Sequence, residues 1–187
     1  MKKIPTLFQR NYDTDRLVRD EITPGCEWVA DGEGIATRKW DGTCCLVRGG
    51  KLYKRHEVKK GKQAPPNFEP AQEADPITGD IVGWVPVGAG PDDRWHREAF
   101  DPNGSYGVLP NGTYELCGPR INQNPENFHR HVLVKHGDIR LFDSPRSFVE
   151  LRAYLTIYNI EGIVWHHKDG RMVKIKARDF GIKRGAK

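Results

Sequence analysis

The chain has 187 residues, 37% of them hydrophobic, with 20 glycines, 13 prolines and a formal net charge of +5. This length and composition predict one loop-rich globular domain over residues 1–187 rather than a disordered chain. The sequence contains no apolar run of about 18 residues and no signal-peptide-like N-terminus. The four cysteines form no C-x-x-C pair, which argues against a structural zinc site and favours a reducing cytoplasmic setting.

The first notable stretch follows a predicted short strand at residues 27–29 and reads K-W-D-G-T from Lys39 to Thr43. A lysine just ahead of an Asp-Gly turn can direct its amine into a cleft. Lysine amines serve as nucleophiles when a cationic or apolar setting lowers their pKa. A solvated lysine beside a turn remains the alternative on this stretch alone.

A hairpin is predicted next, with strands at residues 44–48 and 51–55 around the two-residue turn Gly49-Gly50. That turn pairs position 48 with position 51 and places Cys44 opposite Arg55, so that both side chains point to one face of the sheet. On this stretch alone, Arg55 is interpreted as a solvated arginine at a strand end.

The middle of the chain, residues 57–111, is rich in Pro, Gly and Asp and is predicted to be a loop-rich insertion with one strand at 80–87. Trp84 is expected in the core, although it could instead stack on a base, and Trp95 fits either role. A further strand at 112–118 carries Glu115 among uncharged residues. Burying that carboxylate costs free energy unless it meets a partner or a ligand.

Beyond it, residues 132–134 and 139–142 are predicted to pair as strands, and a helix is predicted to begin near Ser144-Pro145. The last hairpin joins residues 161–168 to 171–178 through Asp169-Gly170. A two-residue turn there would pair Lys168 with Arg171. Glu161, Lys174 and Lys176 would then share one face, so that a carboxylate and two amines could hold a metal-bound triphosphate. A solvated outer face of the hairpin is the alternative.

Taken together, the motifs at residues 39–43, 114–118, 141–143, 161–164 and 173–176 resemble those of the covalent nucleotidyltransferases. That superfamily comprises ATP-dependent RNA ligases, DNA ligases and mRNA capping enzymes, and the resemblance covers about residues 35–180. The sequence around residues 83–87 and 122–125 looks most like the small single-domain RNA ligases of vertebrates, phages and bacteria.

The resemblance implies an α+β nucleotidyltransferase (adenylation) domain, with a core at about residues 26–180. Packed, mostly antiparallel sheets would surround an ATP cleft with flanking helices, and no OB-fold domain is expected. The implied reaction joins RNA 5′-phosphate and 3′-hydroxyl ends through a lysyl-AMP intermediate and an adenylylated RNA end. The implied cofactors are ATP and Mg²⁺, with Mn²⁺ as an alternative metal, and a monomer is expected.

The resemblance also implies a role for each candidate site residue. Lys39 is the implied nucleophile, and Glu161 is the implied metal residue. The implied nucleotide-binding residues are Lys39, Arg55, Glu115, Phe142, Lys174 and Lys176. Among them, Glu115 matches a ribose contact and Phe142 matches a purine-stacking aromatic, although a core Phe is an open alternative.

The chain departs from the family pattern at Cys44, which stands where many DNA ligases carry an arginine.

Two other function classes stay open at this point. One is an RNA-binding module without catalysis, and the other is a nucleotidyltransferase that acts on DNA or another acceptor.

Overall fold

The computed structural model describes residues 3–100 and 109–184, and these form an α+β fold of mostly antiparallel strands with few helices. No helix among these residues is long and apolar enough to cross a lipid bilayer. The chain divides into two compact units. The six-strand unit contains Lys3 and residues 41–136, and the three-strand unit contains residues 4–40 and 137–184. The single-domain organisation stays a prediction.

The elements follow one another in this order: β1 Phe8–Arg10, β2 Val18–Ile22, α1 Glu27–Ala30, β3 Ile35–Lys39, β4 Thr43–Arg48, β5 Lys51–Val58, β6 Glu69–Pro70, β7 Ile81–Pro86, a 3₁₀ turn Pro91–Asp93, α2 Arg94–Ala99, β8 Gly112–Cys117, β9 Val132–Lys135, α3 Phe148–Tyr158, β10 Gly162–His166, β11 Met172–Lys176 and a 3₁₀ turn Ala177–Phe180. The strands at 80–87 and 112–118 are thereby confirmed as β7 and β8.

The six-strand unit is built on one sheet with the strand order β6-β7-β5-β4-β8-β9. One face of this sheet packs into a core of fully or nearly fully buried side chains, namely Cys45, Val47, Leu52, Tyr114 and Leu116. Trp84 is only 6% exposed, so it is buried as expected. It lies opposite Arg55, on the other face of the sheet from this core. Trp95 packs at the margin of this core and stacks on His131 with ring centroids 4.5 Å apart.

The hairpin of β4 and β5 has the predicted register, with Arg48 opposite Lys51. Its two turn residues, Gly49 and Gly50, have φ values of +57° and +70°. A type I′ turn requires positive φ at both central positions, and glycine adopts such angles without steric cost. The Gly-Gly pair therefore determines how the two strands align.

The three-strand unit combines the sheet β11-β10-β3, the pair β1-β2 and helix α3 around a second core. The helix begins after Ser147, which is extended at φ −79° and ψ 154°, and ends at Asn159 in the left-handed region. Leu151 and Leu155 are fully buried. The predicted helix is thus confirmed, although it begins at Phe148 and not near Ser144-Pro145. Its apolar stripe packs into the core of this unit.

The predicted strand at residues 27–29 was wrong, because Glu27–Ala30 forms one turn of helix. Its consecutive residues Trp28 and Val29 are both buried in the core of the three-strand unit. Successive side chains of a strand point to opposite faces, so a helical turn suits two adjacent core residues better.

The predicted pairing of residues 139–142 with β9 was also wrong, since β9 pairs with β8. Instead, Arg140 forms an isolated bridge with Thr37, and this segment hydrogen-bonds alongside β3. The boundary between the two units falls between His136 and Gly137. The residues that look like a hairpin turn in the sequence therefore connect the units.

The register predicted for the last hairpin was wrong by one residue. His167 donates its backbone N–H to the carbonyl of Arg171 at 2.9 Å, and Gly170 donates to His167 at 3.0 Å. Gly170 has a φ of +91°. The loop therefore has three residues, as in a type I turn followed by a left-handed glycine.

This longer loop changes which side chains share a face of the sheet. Lys174 lies opposite Val164, and Lys176 lies opposite Gly162. The other face carries large apolar side chains that are 0–1% exposed, namely Ile163, Trp165, Val173 and Ile175. Burying a large apolar side chain contributes about 1.5–3 kcal/mol. We conclude that burial of Ile163 and Trp165 outweighs the preference for a two-residue turn.

Candidate functional site

The candidate site residues fall into two groups, one in each unit. The three-strand unit holds Lys39, Phe142, Glu161, Lys174 and Lys176. The six-strand unit holds Arg55 and Glu115. The boundary between the two units falls within the K-W-D-G motif. Lys39 and Trp40 belong to the three-strand unit, whereas Asp41 and Gly42 belong to the six-strand unit.

Lys39, Gly162 and Lys176 form a row across the sheet of the three-strand unit. Gly162 of β10 pairs with Lys39 of β3 on one side and with Lys176 of β11 on the other. Directly opposed residues point to the same face. The two lysines therefore flank a position that has no side chain of its own.

Glu161 lies just before this row, outside β10, and its carboxylate accepts hydrogen bonds from both lysines. The Lys39 Nζ donates to Oε2, and the Lys176 Nζ lies 3.2 Å from Oε1. The three side chains are only 12–21% exposed. The structure thus brings together Lys39, Glu161 and Lys176, as predicted. The hairpin register from which Glu161 and Lys176 were expected to share a face was nevertheless wrong.

The cations around Glu161 determine its ionisation. Burial raises the pKa of Glu161, but the charges of Lys39 and Lys176 outweigh burial, and the net pKa lies below the usual range. Glu161 is therefore a carboxylate at neutral pH. A carboxylate whose pKa is lowered in this way is a poor proton acceptor, so its role with Lys39 is electrostatic and positional.

The two lysines of β11 have depressed pKa values. Burial, together with the charges of Lys176 and Lys39, lowers the pKa of Lys174 to about 8. Burial also lowers the pKa of Lys176, an effect that Glu161 partly offsets. Two amines thus contact Glu161, and the charge of Lys174 acts on the same lysines. This excess of positive charge suits a polyanionic ligand.

Gly162 is required at the centre of the row because the neighbouring strand approaches closely. A Cβ built on Gly162 would lie 2.1 Å from the carbonyl oxygen of Ile175. Any side chain there would push β11, and with it Lys176, away from β10. The glycine therefore contributes to the geometry of the lysine pair.

Two residues that sequence reasoning missed anchor the end of β11. Asp179 is fully buried, accepts the backbone N–H of Lys176 at 3.0 Å and forms an ion pair with Arg10. The signal in the sequence is an acidic residue three positions after the strand end, which is a capping pattern for the 3₁₀ turn that follows.

Phe142 is 86% exposed, so the alternative that it is a core residue was wrong. An exposed aromatic ring is available to stack on a ligand, and its role in purine binding stays a prediction. A second planar group of this unit lies at Trp40, whose ring is covered by the Arg38 guanidinium at 4.0 Å.

In the six-strand unit, Glu115 is 7% exposed, and donors meet both of its carboxylate oxygens. The backbone N–H of Gly42 donates to Oε1 at 3.1 Å, and the His136 Nε2 lies 2.8 Å from Oε2. A Cβ on Gly42 would lie 2.2 Å from the Leu116 carbonyl oxygen. Because Gly42 has no side chain, its backbone can approach β8 closely enough to donate a hydrogen bond to Glu115. His136 was not singled out with Glu115, because the two are 21 positions apart.

Cys44 lies directly opposite Glu115 in the pairing of β4 with β8. The register of the β4–β5 hairpin, continued by one residue, places Arg55 on the same face. The Nε of Arg55 is buried and has no hydrogen-bond partner among the described residues. A buried donor without a partner costs free energy, and a ligand that accepts this hydrogen bond would recover it.

Comparison with known proteins identifies similar sequences. A family model described as RNA ligase 1 matches residues 102–186. That range contains Glu115, Phe142, Glu161, Lys174 and Lys176, whereas Lys39 and Arg55 precede it.

Whole-sequence comparisons extend the similarity over most of the chain. A protein named RNA ligase 1 from Pongo abelii is 26% identical over 219 aligned positions, which cover 79% of this chain and 67% of the relative. Proteins of the same name from Danio rerio and Mus musculus are 27% identical over 221 positions, with the same coverage.

Proposed function

We propose that this chain is an ATP-dependent RNA ligase that adenylylates itself on Lys39, and its similarity to the RNA ligase 1 family model and to proteins of that name supports the proposal. The observation that carries the proposal is the cluster of Lys39, Glu161 and Lys176 in the three-strand unit. A nucleophilic amine there lies next to a carboxylate and further amines, as attack on a triphosphate requires.

Positive charge is the first contribution of this cluster. Lys174 and Lys176 would contact phosphate oxygens of ATP and stabilise the negative charge that develops as pyrophosphate leaves. Glu161 would align the Lys39 amine through the hydrogen bond that it already accepts. The phosphates would replace Glu161 as the principal counterions of the lysines.

The second requirement is a neutral nucleophile, because an ammonium group has no lone pair with which to attack. The unperturbed pKa of a lysine amine is near 10.4. Nearby ammonium groups favour loss of the proton, whereas the contact with Glu161 favours its retention. We propose that a cation held by Glu161 would weaken this contact and add positive charge, so that the Lys39 ammonium would lose its proton to solvent.

Glu161 is the carboxylate that contacts Lys39 and Lys176. One carboxylate fits Mg²⁺ or Mn²⁺ if phosphate oxygens of the substrate supply further ligands. Magnesium in proteins is commonly held by one or two carboxylates together with substrate phosphates and waters. Glu161 would hold the ion, which would supply neutralisation of phosphate charge when bound.

In the proposed first step, the Lys39 nitrogen attacks the α-phosphorus of ATP, and the bond from that phosphorus to the bridging oxygen breaks. Pyrophosphate departs with the bonding electrons and leaves a lysyl-AMP phosphoramidate. An oxygen of the RNA 5′-phosphate then attacks the adenylyl phosphorus, and the Lys39 amine leaves and recovers a proton. Finally an RNA 3′-hydroxyl attacks the activated phosphate, and AMP is released.

The remaining predicted residues would bind the nucleoside. Glu115 would accept a hydrogen bond from a ribose hydroxyl, Arg55 would donate to the nucleotide, and Phe142 would stack on the purine. The buried carboxylate of Glu115 and the unpartnered Nε of Arg55 support these roles, because each offers a polar atom inside the fold. The nucleotidyltransferase fold is part of the same proposal.

The decisive experiment is incubation with α-labelled ATP and Mg²⁺, followed by denaturing electrophoresis. We expect covalent label on the wild-type chain and none on Lys39→Ala. Lys168→Ala is the matched control, because Lys168 belongs to the same unit but lies exposed in the loop of the last hairpin. No label on the wild type would favour an RNA-binding module, and undiminished label on Lys39→Ala would exclude Lys39 as the nucleophile.

A second assay tests the acceptor. Matched RNA and DNA strands with 5′-phosphate and 3′-hydroxyl ends are offered to the pre-adenylylated protein. We expect sealing of RNA in preference to DNA. Equal sealing of both would contradict the RNA-specific part of the proposal and leave the lysyl-AMP chemistry intact.

A further inference from the structure

A second cluster of chemically reactive side chains lies entirely within the six-strand unit. The Cys44 thiol, a Glu115 carboxylate oxygen and a ring nitrogen of His136 all lie within 4.8 Å of one another. Donors around one tetrahedral zinc lie roughly 3–4 Å apart, since zinc–ligand distances are about 2.0–2.3 Å. Small side-chain rotations would therefore bring the three donors to one ion.

Strand pairing, and not a metal-binding spacing in the sequence, places these donors. Cys44 and Glu115 are opposed across β4 and β8, so their side chains share a face. His136 follows β9, the neighbour of β8, and its backbone N–H bonds the Thr113 carbonyl at 3.1 Å. The three residues thus come from adjacent strands of one sheet, with His136 just beyond the end of its strand.

The hydrogen bonds of His136 suit a metal ligand. Its Nδ1 lies 3.0 Å from the Thr113 hydroxyl, and its Nε2 lies 2.8 Å from Glu115. A carboxylate only accepts hydrogen bonds, so Nε2 carries the proton in this arrangement. A hydroxyl both donates and accepts, so the proton can move to Nδ1 without loss of the bond to Thr113. Nε2 would then offer its lone pair to an ion, oriented by Thr113 as an outer partner.

Glu115 is held in a similar way. The Gly42 N–H fixes Oε1 at 3.1 Å, which leaves Oε2 as the oxygen shared with His136. Carboxylates that bind metals are commonly hydrogen-bonded in this manner by a second donor. Two of the three donors are therefore already oriented by neighbouring residues.

We propose that Cys44, Glu115 and His136 form a binding site for a zinc-like divalent cation. Thiolate, imidazole and carboxylate together favour Zn²⁺ or Co²⁺, whereas Mg²⁺ prefers oxygen ligands alone. Three protein ligands leave a fourth position for water or a ligand atom. This site is distinct from the Lys39 cluster, to which none of the three residues belongs.

The consequence for activity rests on the proposed function. Glu115 is the residue that we propose contacts the ribose of ATP, and a carboxylate oxygen bound to Zn²⁺ is less available to a hydroxyl. Zinc at this site would therefore inhibit formation of lysyl-AMP, and chelation would restore it. The cation would thus act as a regulator that competes with nucleotide binding.

Direct binding is measured first and needs no ligase activity. The protein, reduced and freed of metal, is titrated with Co²⁺, and the near-ultraviolet charge-transfer band of a thiolate–cobalt bond is followed. Zn²⁺ affinity is then measured by competition with a chromogenic chelator at millimolar Mg²⁺. We expect one equivalent to bind, with affinity weakened about tenfold or more in Cys44→Ser and His136→Ala.

The matched control is His129→Ala, an exposed histidine of the same unit, which should bind as the wild type does. Circular dichroism confirms that each variant is folded, and protection of Cys44 from alkylation by Zn²⁺ gives a readout independent of the spectrum. Unchanged affinity in Cys44→Ser, or cobalt binding without a thiolate band, would overturn the proposed site.

The regulatory part is tested with the α-labelled ATP assay, each variant being compared with its own metal-free rate. We expect Zn²⁺ to slow labelling of the wild-type protein at least tenfold. In Cys44→Ser, most of this inhibition should be absent. Equal inhibition of both proteins would refute regulation through this site. If the wild type binds Zn²⁺ but never labels, the proposed function fails while the metal site stands.

Discussion

Two carboxylates are held by different kinds of partner: Glu161 in the three-strand unit, which is partly buried, and Glu115 in the six-strand unit, which is buried. Glu161 contacts two lysine amines, so its negative charge is balanced by positive charge. Glu115 contacts a backbone N–H and an imidazole. The difference shows that one site is organised by electrostatics, which suits phosphate chemistry, and the other by hydrogen-bond geometry, which suits a neutral hydroxyl or a metal ion.

The largest expected effect comes from replacing each carboxylate by a neutral amide, because the two sites depend on its charge to different degrees. Glu161→Gln would leave Lys39 and Lys176 without their anion, and we expect the rate of lysyl-AMP formation at saturating ATP to fall about 100-fold. Glu115→Gln keeps an oxygen acceptor, so we expect mainly an increase of about tenfold in KM for ATP. Single-turnover labelling at varied ATP concentration separates the two effects. Similar effects on rate and KM in both variants would contradict the distinction.

The glycine beside each carboxylate provides the next test. A methyl group at Gly162 or Gly42 would meet a backbone carbonyl oxygen at 2.1 or 2.2 Å. We expect Gly162→Ala and Gly42→Ala each to lower the free energy of unfolding by about 2–4 kcal/mol, because backbone atoms must move apart. Urea denaturation measures the change.

The control for both glycines is Gly90→Ala. Gly90 has a φ of −64°, and a Cβ there meets nothing within 4 Å. That substitution should be neutral or slightly stabilising, since alanine restricts the unfolded chain. A loss of stability at Gly90 equal to that at Gly42 would mean that close backbone approach is not the cause.

A smaller effect concerns the pH dependence of stability in the lysine-rich site. Lys174 has a pKa near 8 in the folded protein and near 10.5 when exposed. Between these values the unfolded chain binds more protons, so stability rises with pH in this window. We expect the free energy of unfolding of the wild type to gain about 1–2 kcal/mol relative to Lys174→Met between pH 7 and 10.

Urea titrations at several pH values provide the measurement, and Lys168→Met is the control because Lys168 is exposed. At pH 7 the Lys174→Met variant should also be more stable than the wild type, since a partly buried ammonium is removed. Parallel pH profiles for wild type and Lys174→Met would show that the environment of Lys174 does not depress its pKa.

The smallest expected effect is that of Phe142→Ala. The ring is 86% exposed, so its removal should leave stability unchanged within about 0.5 kcal/mol. If it stacks on the purine, KM for ATP should rise by roughly 5–10-fold, as expected for a contact worth about 1 kcal/mol. Ile157→Ala, at a side chain 75% exposed in the same unit, should change neither quantity. An unchanged KM in Phe142→Ala would remove it from the nucleotide site.

Local signals in the sequence were sufficient where the determining interaction is itself local. Gly49-Gly50 determined the register of β4 and β5, because positive φ at both positions permits only a narrow set of turns. The apolar spacing of Leu151 and Leu155 likewise predicted helix α3, although the helix begins at Phe148 and not near Ser144-Pro145. The lysine motif also predicts a functional site at Lys39, and that role stays a prediction.

Only the tertiary structure decided the features that depend on competition between local and distant interactions. Asp169-Gly170 admits loops of two or three residues, and burial of Ile163 and Trp165 selected the longer one. The sequence shows that those two residues are apolar. It does not show that they share the buried face of the sheet with Val173 and Ile175 of β11.

The tertiary structure likewise decided the partners of the two carboxylates, because residues far apart in the chain become neighbours only when the strands pair. Glu161 meets Lys39 from 122 positions away, and Glu115 meets Gly42 from 73 positions away. The sequence by itself determined which chemical groups the chain contains and several local turns. Strand pairing and burial decided which of those groups share a site, since free energy gained by distant contacts overrides local preference.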